Sequence, residues 1–153
     1  MIFRIKTMTT YPRAQLHRRI GALLYDILCI VALEMVVGAI FLLFNGGEAI
    51  TQGHPLYKVQ QTCFAIVPFL YFLFFWLRDA HTTGMRAWRL RIQTLDEKPI
   101  TVSKAIIRLF CAILSWIPFG LGYWWILVSP TRLAWHDRLS GTEIIQLPKK
   151  PKK

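Results

Sequence analysis

Residues 20–44 form an apolar run that Arg18 and Arg19 precede and that carries only two carboxylates, Asp26 and Glu34. At about 1.5 Å per residue, a helix of this length exceeds a hydrocarbon core roughly 30 Å thick. A water-soluble domain would have to cover such a helix on every side. The rest of the chain is too short and too apolar for that, at 153 residues in all with 54% hydrophobic. The run therefore reads as a transmembrane helix in a one-domain chain. It is too long for a signal-peptide core and no small-residue cleavage site follows it, so it is expected to stay in the mature protein. Asp26 is the least comfortable residue. A carboxylate inside a bilayer costs roughly 2.5–3.5 kcal/mol on insertion scales and usually faces protein or water. Arg19 lies seven residues earlier, about 20° off the same helical face, so the two can line one interhelical seam.

Asn45, Gly46 and Gly47 stop the first helix, and Pro55 closes the loop that follows. Residues 59–77 then run without a charge between Lys58 and Arg78. Length and composition make this the second span, with Pro68 as a kink. Its aromatic residues near Trp76 fit either an interfacial belt or a stripe packed on neighbouring helices. Residues 78–104 are the longest polar stretch. Within them, residues 88–95 alternate bulky apolar with polar side chains, as a half-buried strand would, and Asp96 to Pro99 supply a turn. Residues 142–147 are the other strand-like stretch, and the two are expected to pair in a small sheet. Thr101 or Ser103 can cap a helix from Lys104 to about Trp116. Pro118, Gly120 and Gly122 break the pattern, which resumes over residues 123–128.

Charge decides the topology. Arg4, Lys6, Arg13, Arg18 and Arg19 precede the first span, the loop between spans has only Lys58, and four lysines end the chain. Both termini and the 78–104 loop are therefore expected on the cytoplasmic side of the membrane. Residues 104–128 must then enter and return as a re-entrant helical hairpin, folding over residues 118–122, because each arm is too short to cross. The alternative is one kinked span with an exported C-terminus. The fold class expected is an all-α membrane protein: two transmembrane helices, a Pro/Gly-broken re-entrant hairpin and a small cytoplasmic two-stranded β element. Residues 13–147 make the transmembrane domain, with a basic segment at 1–12 and a lysine-rich cytoplasmic tail at 148–153.

The formal charge of +11 could suggest nucleic acid, but basic residues flanking apolar runs follow the positive-inside rule instead. No nucleic-acid partner is expected; the partner is the lipid bilayer. Cys29, Cys63 and Cys111 sit in different apolar runs with no metal-ligand spacing, so neither a zinc site nor a disulfide framework is expected. Nucleophilic catalysis finds no G-x-S-x-G and no base for Ser115, and no enzyme activity is expected.

Three motifs then stand in order: R-x-x-A-x-x-x-D from Arg19 through Ala22 to Asp26, T-T-G-M-R from Thr82 to Arg86, and H-D-R-L-S-G-T from His136 to Thr142. Together they resemble the RDD family of small bacterial membrane proteins, named for one arginine and two aspartates. The resemblance covers residues 13–147 and assigns those three to Arg19, Asp26 and Asp137. Ala80 stands where the family's glycine opens the middle motif. The resemblance implies transport, with sodium–proton exchange in some members. With so few spans, a pathway for a cation or proton would need a homo-oligomer or a partner membrane protein; the alternative is a non-transporting scaffold or assembly protein whose basic cytoplasmic face binds a partner or anionic lipid. No cofactor or metal is expected.

Each site residue also has a plainer role. Asp26 is either an exchanging carboxylate or a structural one neutralised by Arg19 or Arg108. Glu34, eight residues on and about 80° around the helix, continues a polar path or hydrogen-bonds across the bundle. Asp137 is a cation ligand at the mouth of a path, or a turn or cap aspartate that anchors Arg19 or Arg86. Arg108 needs a carboxylate or interface partner where it stands. His136 beside Asp137 resembles the metal pair of HD phosphohydrolases, but no further His/Asp set accompanies it. Thr82, Gly84 and Gly141 are expected to shape turns.

Overall fold

The computed structural model describes residues 11–116, 121–129 and 133–148. Helix α1 (Leu16–Phe44) and helix α2 (Tyr57–Asp79) contain both expected spans and extend each by a few residues. The stop after α1 uses its glycines. Gly46 and Gly47 take φ of 67° and 87°, and the Gly47 N–H donates to the Leu42 carbonyl at 2.8 Å, satisfying an end group that would otherwise be orphaned. Both helices are long and apolar enough to cross a membrane. None of the most apolar window of α1 is buried within the protein, against 11% for α2. A core helix of a soluble domain would be covered; these two present their apolar surface outward.

Only one face of α1 is sealed, at Ala22, Asp26 and Ile30, four residues apart and therefore on one stripe. It packs against α2 and against a short helix, α3 (Thr83–Ala87), which stands where turns were expected. The Thr82 hydroxyl caps α3 by accepting the Met85 N–H at 3.1 Å. Ala80 ends α2 at φ 58°, in the left-handed region that costs a residue with a Cβ roughly 1–2 kcal/mol. That is the physical reason a glycine suits this position.

Strand β1 (Leu90–Thr94) pairs antiparallel with β2 (Thr142–Gln146) in the register Leu90↔Gln146 to Thr94↔Thr142. The expected two-stranded element is present. The chain before α1 adds to the far side of β2, where Ala14 N–H donates to the Ile144 carbonyl and Gln146 N–H to that of Pro12. Between the strands lie α4 (Val102–Trp116), α5 (Leu121–Val128) and α6 (Trp135–Ser140). The expected fold over residues 118–122 falls mostly outside the described residues. Gly122 nonetheless stands so near α4 that a Cβ there would come within 2.5 Å of the Ser115 Cβ. The basic segment at 1–10 and the tail at 149–153 lie outside the described residues.

The hydrophobic core, with Trp76, Met85, Leu90, Ile92 and Leu109 among its members, sits where the start of α1, the end of α2, α3, α4 and the sheet converge. Trp76 is 7% exposed there, which favours packing over an interfacial role. The three cysteines are free thiols and half-buried.

Candidate functional site

Two polar clusters are buried within this base, and α1 supplies one member to each. The first centres on Asp26, 2% exposed. Its Oδ1 accepts the Tyr71 hydroxyl from α2 at 2.8 Å and the Gly84 N–H from α3 at 2.8 Å. Its Oδ2 accepts the Thr82 hydroxyl at 2.6 Å. The Gly84 contact requires the glycine: a Cβ there would overlap the Ala22 carbonyl oxygen of α1. Three neutral donors thus hold the carboxylate, and among the described residues no cation pairs with it. The expectation of a seam shared with Arg19, or of neutralisation by Arg19 or Arg108, differs from this arrangement because both arginines go to the other aspartate.

That second cluster centres on Asp137, which is wholly buried in α6. Its Oδ2 accepts Arg19 Nη1 at 2.5 Å and the Ala134 N–H at 3.1 Å, so it also caps its own helix. Its Oδ1 lies 2.6 Å from Arg108 Nη1. Arg108 donates to the Thr142 hydroxyl at 2.5 Å and stacks over the Trp76 ring. Arg19 Nε donates to the Ala14 carbonyl at 3.1 Å. One carboxylate therefore ties α1, α4, α6 and the start of β2 together. Complete burial alone would raise its carboxyl. The Arg108 and Arg19 guanidiniums outweigh burial and hold Asp137 well below the usual carboxylate range.

His136 is buried beside it, with Nε2 3.6 Å from Asp137 Oδ1. Burial, reinforced by the charge of Arg108, pushes this imidazole down to about 3, so it is neutral in the folded chain at neutral pH. An unfolded chain would protonate it below its ordinary 6.5. The unfolded state then binds the extra proton, and stability falls by about 1.4 kcal/mol per pH unit as pH drops from 6.5 toward 3. His136→Gln is expected to remove its share of that slope, which unfolding midpoints in detergent between pH 6.5 and 5 will measure.

The remaining candidates lie apart. Arg86 is exposed and donates through Nε to His81 Nε2 at 3.1 Å rather than anchoring Asp137. Glu34 is half-buried farther along α1 and has no hydrogen bond or ion pair among the described residues. Among those residues, no three His, Cys, Asp or Glu side chains gather as a metal site needs. Tyr71 was not singled out by sequence reasoning. The available signal was that it carries a hydroxyl amid Phe69, Phe72, Phe74 and Phe75.

The RDD family model matches residues 13–141. The chain belongs to the RDD family. Its naming arginine and aspartates, as the motifs assign them, split between the two clusters: Arg19 and Asp137 pair directly, while Asp26 faces hydroxyls and a backbone amide. No curated protein and no solved structure matches this RDD chain.

Proposed function

We propose that this RDD protein is a subunit of a proton-coupled cation transporter in which Asp26 carries the proton. The observation that carries the reading is the contrast between the two aspartates. Asp137 is locked in its ionised form by two guanidiniums and cannot cycle a proton near neutrality. Asp26 is nearly as deeply buried, lies within a candidate span and, among the described residues, is held by neutral donors alone. Intramembrane carboxylates of this kind are the usual carriers of exchangeable protons. The Arg19–Asp137–Arg108 clamp then serves to hold the helices around Asp26.

In this reading the basic ends lie in the cytoplasm of a bacterial cell whose inner membrane α1 and α2 cross. Helices α4 and α5, of 15 and 8 residues, form a re-entrant pair, since neither spans roughly 30 Å. Beyond Tyr71 the α1–α2 seam is an open groove of about 590 Å³ with apolar walls that include Leu33, Val36, Val67 and Leu70. A charge does not cross such a surface, so the full pathway is completed in an oligomer or with a partner membrane protein.

Proteoliposomes carrying a pH gradient test the reading. The wild type is expected to dissipate the gradient on addition of sodium or potassium, and Asp26→Asn to slow it by about tenfold or more while remaining folded. Wild-type activity in Asp26→Asn, or no flux from the wild type, overturns it. A second reading, a non-transporting scaffold, is favoured by Glu34, whose carboxylate lies in a candidate span and has no partner among the described residues. There the Asp26→Asn exchange costs folding and not flux.

A further inference from the structure

Beside the Asp26 cluster lies a small cavity of about 40 Å³ lined by Phe75, Asp79, His81, Thr82, Thr83 and Arg86. Asp79, Thr83 and Arg86 are exposed, while Thr82 is 1% exposed and sits at the inner wall. A single water needs roughly 10–15 Å³ and two to four polar partners, so this space has room for one. Its wall reaches Asp26 twice. Thr82 donates its hydroxyl to Asp26 Oδ2 at 2.6 Å and accepts the Met85 N–H at 3.1 Å. The Thr83 side chain lies near the Tyr71 hydroxyl, and that hydroxyl donates to Asp26 Oδ1 at 2.8 Å.

We infer that this cavity is the aqueous entry to Asp26, with the Thr82 and Tyr71 hydroxyls as its proton relay. The inference deepens the transport reading above by assigning the route at one side of the membrane. A hydronium ion in the cavity gives a proton to the Thr82 oxygen as the Thr82 hydroxyl proton passes to Asp26 Oδ2. Water and a neutral carboxylic acid result, and the threonine hydroxyl is restored. Release runs in reverse.

The ligand is a proton and not a metal ion. The atoms that reach Asp26 are two hydroxyls already donating to it and a backbone N–H, which has no lone pair to offer a cation. Among the described residues, the charged and titratable groups facing the route are Asp79, His81 and Arg86 at its mouth, with Cys29 near the Tyr71 hydroxyl. His81 spans the mouth: Nδ1 lies 2.5 Å from the Asp79 carbonyl and Nε2 accepts Arg86 Nε. The ring is therefore fixed as the Nδ1–H form, and Arg86 closes over it.

Infrared difference spectra of the full-length protein in nanodiscs, with Asp26→Asn assigning the carboxyl band, read protonation of Asp26 directly after a pH jump. Thr82→Val, which keeps the shape and deletes the hydroxyl, is expected to slow the Asp26 signal by about tenfold, as is Tyr71→Phe. Thr82→Ser, which keeps the hydroxyl, is expected to match the wild type and guards against a merely structural loss. Arg86→Ala is expected to leave the signal as fast or faster. Slowed protonation in both hydroxyl deletions, with no flux in liposomes, would sink the transport reading and leave the route standing. Wild-type rates in Thr82→Val and Tyr71→Phe together would overturn the route, whatever the flux.

Discussion

Asp137→Ala is expected to destabilise the protein by roughly 3–5 kcal/mol, enough to leave much of it unfolded in mild detergent. The exchange leaves the Arg19 and Arg108 guanidiniums buried, at 8% and 2% side-chain exposure, without the carboxylate that both contact. It also removes the acceptor for the Ala134 N–H at the start of α6, a cap worth about 1 kcal/mol. Asp137→Asn is expected to fare little better, because an amide keeps the shape and loses the charge. Titration with a denaturing detergent, followed by far-UV circular dichroism, reads the shift. The cost arises from stranding charge and not from the intrinsic worth of a buried ion pair. A triple exchange, Arg19→Leu with Arg108→Met and Asp137→Leu, is therefore expected to recover a large part of the loss. A triple variant as unstable as Asp137→Ala would mean that the polar network itself specifies the packing of α1, α4 and α6.

How far the sequence foretold this arrangement depends on the kind of interaction. The spans were legible, because apolar length is a property of one continuous segment and the bilayer sets its scale. The β1–β2 pairing was legible too, since alternation over residues 88–95 marks a half-buried strand and residues 142–147 are the other strand-like stretch; the addition of residues 12–14 to the far side of β2 was not. The distribution of the arginines was not. Periodicity puts Arg19 and Asp26 near one stripe of α1, and attraction between opposite charges suggests that they cooperate. That stripe faces α3 at Asp26, while two turns earlier Arg19 meets α6. Only the tertiary fold decides which neighbour each turn of a helix receives. Tyr71 was hidden for a different reason: in a run of aromatic rings a hydroxyl hardly alters hydropathy, yet here it supplies one of the three donors to Asp26. Glycine was misjudged in kind. Gly141 does turn the chain, with φ 61° at the end of α6. Gly84 lies inside a helix and is small because another backbone approaches it.

That approach makes Gly84→Ala the second large expected effect. An added Cβ would overlap the Ala22 carbonyl oxygen and lie 2.9 Å from both the Ala22 carbonyl carbon and the Asp26 carboxyl carbon. Neither obstacle is the far end of a flexible side chain. One is the backbone of α1, and the other is a carboxylate held by three hydrogen bonds. Relief requires α3 to move off α1, which breaks the 2.8 Å bond from Gly84 N–H to Asp26. Overpacking typically costs about 1–3 kcal/mol. A further roughly 1–3 kcal/mol is added if the buried carboxylate loses a donor. Two glycines of α1 calibrate the measurement. Gly21→Ala meets the Trp88 indole, a half-buried side chain rather than a backbone, and is expected to cost less. Gly38→Ala meets only Phe64 Cζ at 3.6 Å, an ordinary contact, and is expected to be neutral or slightly stabilising because alanine favours helix. Detergent unfolding of the three variants should therefore rank Gly38→Ala, Gly21→Ala and Gly84→Ala in order of increasing damage. A Gly84→Ala protein as stable as Gly38→Ala would show that α3 does not seat against α1 at Ala22, and the cradle drawn around Asp26 would fall with it.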